Sequence, residues 1–105
     1  MWVFGVSEPI QVLDAFKAYT VAPVANRITQ DVLLLAGTAD LFIPENQVDQ
    51  ERNALSRARS VTTIVFDRES GGSLHCQIGA PSLWQGVLFD WLTAKFPPTG
   101  ASLAR

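Results

Sequence analysis

The sequence predicts an α/β fold in the order helix–strand–helix–strand–helix, with two adjacent parallel strands. Three observations carry this expectation. Val32–Ala36 is an unbroken apolar run ended by Gly37, the pattern of a strand buried on both faces of a parallel sheet. Val61–Phe66 is rich in β-branched residues, which favour a pleated, half-buried surface. From Pro81 to Phe96, Leu83, Trp84, Val87, Leu88, Trp91 and Leu92 recur at helical spacing, with Gln85, Asp90 and Thr93 off the stripe.

The remaining elements follow from local chemistry. Ser7, Glu8 and Pro9 predict a helix start: Ser7 can cap, Glu8 suits the positive end of the helix dipole, and Pro9 sits in the first turn. Ile10, Leu13 and Phe16 carry that helix to about Tyr19. Thr20–Thr29 holds Pro23 and no clear period, and reads as a connection. Gly37–Pro44 is a loop, and Pro44 opens a largely polar helix with Val48, Leu55 and Ala58 on its narrow apolar side. Asp67–Leu74, with Gly71, Gly72 and Ser73, is a flexible loop. Pro97 and Pro98 stop the last helix, and 97–105 reads as a flexible tail. A strand–helix–strand unit of this spacing predicts a right-handed crossover between parallel strands.

With 105 residues, the chain suits one domain spanning 1–105. Hydrophobic residues make up 48% and charged residues 17%, which is apolar for so small a domain and suggests surface meant to lie against something else. A net charge of −2 and scattered Lys and Arg argue against nucleic acid as a partner. Neither a signal-peptide pattern nor an apolar run of the ~20 residues that span a bilayer is present, so the expectation is a soluble, cytoplasmic protein with no membrane partner. A single cysteine, Cys76, forbids an internal disulfide, and with one histidine leaves no metal-ligand cluster. Gly71-Gly72 does not fit a phosphate-binding loop, so no cofactor is expected.

In parallel α/β sheets, function gathers in the loops that leave the strands' C-terminal ends. Each such loop here holds one titratable residue of interest: Asp40 after the first strand and His75 after the second. On one sheet edge, a carboxylate can reach a ring nitrogen, fix the tautomer and stabilise the imidazolium formed in general-base catalysis. A turn-forming carboxylate and a loop histidine bonded to backbone are the plainer alternatives for each residue alone.

The segment Val32–Pro44, VLLLAGTADLFIP, resembles the strand and acid loop near the end of the α/β-hydrolase fold, and Ser73–Gly79, SLHCQIG, resembles its histidine loop. The HCQ run and the Phe89-Asp90-Trp91-Leu92 helix are similar to the acyl-peptidase-like and fermentation-respiration-switch-like branch. The likeness covers roughly 28–96. It implies that the chain is the C-terminal part of a serine hydrolase of ester or amide bonds, with Asp40 the triad acid and His75 the general base.

The nucleophile departs from that pattern. The family's G-x-S-x-G elbow has its nearest counterpart in Gly5-Val6-Ser7-Glu8-Pro9, where Pro9 replaces the second glycine and Ser7 lies close before Asp40. A helix cap accounts better for Ser7. Ser70 and Ser73 lack the elbow context, and Cys76 reads as a small buried residue. The expectation is therefore an acid and base without their serine, inactive alone, completed by a missing N-terminal hydrolase segment or by a homo-oligomer. The competing expectation is a non-catalytic assembly module that self-associates through its open sheet edge.

Overall fold

A computed structural model describes Gly5 and residues 7–98. Along the chain run α1 (Gln11–Phe16), a 3₁₀ turn at Ala25–Arg27, β1 (Asp31–Gly37), α2 (Asn46–Ala54), β2 (Ser60–Phe66), a second 3₁₀ turn at His75–Gln77, and α3 (Pro81–Lys95). Strands β1 and β2 pair in parallel from Asp31 opposite Ser60 to Gly37 opposite Phe66. The chain is thus a mixed α/β unit around two adjacent parallel strands in an open sheet.

The two longer helices flank opposite faces of that sheet. Arg52 of α2 donates to the Thr63 hydroxyl at 2.8 Å, whereas the Trp91 indole of α3 donates to the Thr62 hydroxyl at 3.3 Å. Neighbouring strand residues point to opposite faces, so the bonds place α2 and α3 on either side. At the other end of α3, Lys95 donates to the Ser60 hydroxyl at 3.0 Å, and Ser60 donates in turn to the Asp31 carboxylate. The helix is so tied to the N-terminal ends of both strands.

Packing is sparse. Among the described residues the buried hydrophobic side chains are Ala25, Leu55 and Phe66, and no large side chain is fully enclosed. Val32–Ala36 is only half-buried, in contrast to the two-sided burial its sequence predicts. The reason is topological: β1 has one strand neighbour, so its other edge is uncovered. Among the described residues no helix is long and apolar enough to cross a membrane.

Two local expectations are corrected. Helix α1 begins at Gln11 rather than at Ser7, and ends at Phe16. Ser7 does not cap it. Instead the Gln11 side chain reaches back and accepts the backbone N–H groups of Ser7 and Glu8, each at 3.0 Å. The chain around Pro9 forms turns, with Gln11 and Val12 donating to the carbonyls of Glu8 and Pro9. Trp2 and most of the 97–105 tail lie outside the described residues.

Candidate functional site

The parallel register brings the C-terminal ends of β1 and β2 to one edge, and backbone bonds lock their loops together. Thr38 donates to the Phe66 carbonyl at 2.9 Å, and Ala39 donates to the Ser73 carbonyl at 2.8 Å. Gly37 makes this approach possible. A Cβ there would lie 2.3 Å from the Ser73 oxygen and 2.9 Å from the Leu74 oxygen, both backbone atoms that cannot swing aside. Gly72 plays the matching part behind the loop, where a Cβ would strike Phe66 at 2.8 Å and Leu83 at 2.9 Å.

Asp40 serves two purposes at once. One carboxylate oxygen accepts the backbone N–H groups of Phe42 at 2.8 Å and Ile43 at 2.9 Å, closing the turn after β1. The other lies 2.9 Å from His75 Nδ1. The turn-forming and the histidine-pairing accounts of Asp40 therefore hold together, because each uses a different oxygen. The Asp40 side chain is 10% exposed and that of His75 36%. Desolvation, the largest influence, pushes the Asp40 carboxyl upward. The bonds from His75, Ile43 and Phe42 outweigh it and hold the group below its ordinary value of 3.8.

An ionised carboxylate only accepts, so Nδ1 must be the protonated ring nitrogen in this pair. In the neutral imidazole that leaves Nε2 with its lone pair, and no described residue bonds it. The Phe42 ring meets the imidazole edge-on at a centroid distance of 4.9 Å, limiting its rotation from a second direction.

His75 opens the short 3₁₀ turn, in which Gln77 donates to the Leu74 carbonyl at 2.9 Å and Ile78 to that of His75 at 3.1 Å. Cys76 and Gln77 both take left-handed backbone, at φ +51° and +54°. For side-chain-bearing residues each such conformation costs roughly 1–3 kcal/mol and needs support from its surroundings. The turn exposes Cys76, which corrects the expectation that it is buried, and turns Gln77 inward.

A groove of about 440 Å³ runs from this pair along the uncovered edge of β1. Leu34 and Leu35 of β1, Val48 and Glu51 of α2, Trp84 of α3 and Ile43 line it, with Asp40, His75 and Gln77 at one end. Its size falls within the usual range for small-molecule sites.

No serine hydroxyl among the described residues bonds to His75. Ser7 is exposed, and its hydroxyl reaches the Gln11 side chain at 3.5 Å. Ser70 donates to the Asp67 carbonyl at 2.8 Å within its own turn. Ser73 is buried, with its carbonyl taken by Ala39. Sequence reasoning missed Phe42 and Gln77: an aromatic two residues past an acid gives no signal, and nothing in HCQ reveals left-handed backbone.

Comparison with protein-family models, curated proteins and solved structures found no significant match.

Proposed function

We propose that this chain supplies the acid–base half of a serine hydrolase of the α/β-hydrolase type, acting on ester or amide bonds. The observation that supports this reading is the Asp40–His75 bond of 2.9 Å, with Nε2 unbonded at the end of the groove. In the reaction, Nε2 removes the proton from a serine hydroxyl as it attacks the substrate carbonyl. Asp40 keeps Nδ1 protonated and stabilises the imidazolium, which then hands its proton to the leaving alcohol or amine. The serine and the oxyanion-binding groups come from another polypeptide segment, docked at the uncovered edge of β1.

A chimera tests this. The chain is joined after the strand–elbow–helix segment of a serine α/β-hydrolase whose own acid and histidine have been removed. Turnover of a p-nitrophenyl ester should require both that serine and His75, and Asp40→Asn should slow it roughly ten-thousandfold, the scale seen when triad acids lose their charge. A cooperatively folded chimera that is inactive, or indifferent to His75→Ala, counts against the proposal.

The half-buried apolar run of β1 favours a second reading, a non-catalytic module that self-associates through that edge. Sedimentation at micromolar concentration separates the two. A folded monomer rules out the module, whereas a dimer dispersed by a charged residue at Leu34 supports it.

A further inference from the structure

Strand β2 has β1 on one side and, among the described residues, no strand on the other. The Thr38 N–H donates to the Phe66 carbonyl, which aims the backbone groups of Phe66 at β1. Alternation along the strand sends those of Ser60, Thr62 and Ile64 the same way and those of Val61, Thr63 and Val65 outward. Nothing blunts this outer edge: Ser60–Phe66 holds no charge, proline or glycine and is mostly β-branched. Two strands alone also fall short of the three or more that a stable sheet needs.

The charges beside the strand define what pairs with it. Arg57 and Arg59 precede β2, Asp67 and Glu69 follow it, and each is exposed. An antiparallel copy centred on Thr63 sets Val61 against the partner's Val65 and Thr63 against the partner's Thr63, so every outward N–H meets a carbonyl. The same register sets Arg59 against the partner's Asp67 and brings Arg57 to the end that carries the partner's Glu69, while Arg68 meets the neutral Ala58. Arg52, exposed on the α2 face and bonded to Thr63, nears its own mate at the axis. Opposite charges at both ends outweigh that single approach. A parallel copy would instead set arginine against arginine, and β1 has no such match, with the carboxylates of Asp31 and Asp40 towards its two ends. We infer that the chain forms a two-fold dimer by antiparallel pairing of β2 with β2 of a second copy, giving one continuous sheet. This is independent of the hydrolase reading and leaves the groove and the open edge of β1 free.

Sedimentation equilibrium of the whole chain at micromolar concentration should show a dimer. Arg59→Glu and Asp67→Arg should each weaken it roughly tenfold, because like charges then meet at both ends of the interface. An equimolar mixture of the two should recover a dimer about as tight as the parent, since each altered residue then faces its opposite in the other chain. Amide hydrogen exchange gives a reading that needs no variant: Val61, Thr63 and Val65 should gain protection as concentration rises, so a variant that fails to fold leaves the test standing. A monomer across the micromolar range overturns the inference. So does a dimer indifferent to both reversals or dispersed only by a charge at Leu34, a mixture no tighter than its components, or exchange at Val61, Thr63 and Val65 that ignores concentration.

Discussion

Replacing Gly37 with alanine should loosen the site without touching either titratable residue. The added Cβ would lie 2.3 Å from the Ser73 oxygen, against about 3.3 Å for a close carbon–oxygen contact. The histidine loop must therefore withdraw by about 1 Å, which breaks the 2.8 Å bond from Ala39 to Ser73. Overpacking of this kind costs about 1–3 kcal/mol, and the lost hydrogen bond about 1 kcal/mol more. Gly37 does not use left-handed backbone, so alanine also stiffens the unfolded chain and returns about 0.4–1 kcal/mol. The net loss is about 1–3.5 kcal/mol, or a fall in melting temperature of roughly 5–25 °C. Urea unfolding gives the first figure and a thermal melt the second. Carboxyl ¹³C titration should show Asp40 rising toward its ordinary value as His75 moves away. A variant within about 0.5 kcal/mol of the parent, with Asp40 still low, would refute the claim that this close approach sets the geometry.

Further outcomes follow from the same structure. Asp40 and Asp31 are both held below their ordinary value of 3.8, Asp31 chiefly by the Ser60 hydroxyl and then, against desolvation, by Lys95 and Arg59. Folded carboxyls shifted downward contribute stability that is fully present above the ordinary value and lost as pH falls through the folded one. Urea midpoints should therefore decline from about pH 4 downward, and Asp31→Asn or Asp40→Asn should each flatten that decline. Phe66→Ala should cost about 3–5 kcal/mol by chemical denaturation, since Phe66 is 4% exposed and backs Gly72. The isolated chain should not turn over p-nitrophenyl esters. Turnover abolished by Ser7→Ala would make Ser7 the nucleophile after all.

The parts of this fold that rest on periodicity were legible in the sequence. The β-branched run at Val61–Phe66 and the helical pattern from Pro81 to Phe96 mark β2 and α3 to within a residue of their ends. The meeting of Asp40 and His75 was legible for a topological reason, because parallel strands carry both following loops to one edge. Helix α1 was overdrawn because Ser7-Glu8-Pro9 contains every local start signal, while the Gln11 side chain competes for the same backbone donors. Burial of β1 was overdrawn too, since an apolar run cannot say whether its second neighbour lies in the same chain. Cys76 and Gln77 were opaque because their exposure and burial follow from left-handed backbone that neither residue type favours.

In the Asp40–His75 pair, the ionised carboxylate fixes the imidazole with Nδ1 protonated and Nε2 free to take a proton. Long-range ¹⁵N NMR of the imidazole, on the chain with neutral His75, reads this directly. The spectrum should show a protonated Nδ1 and an unprotonated Nε2, with the balance shifting toward the Nε2–H form in Asp40→Ala. A dominant Nε2–H tautomer in the unaltered chain would contradict it.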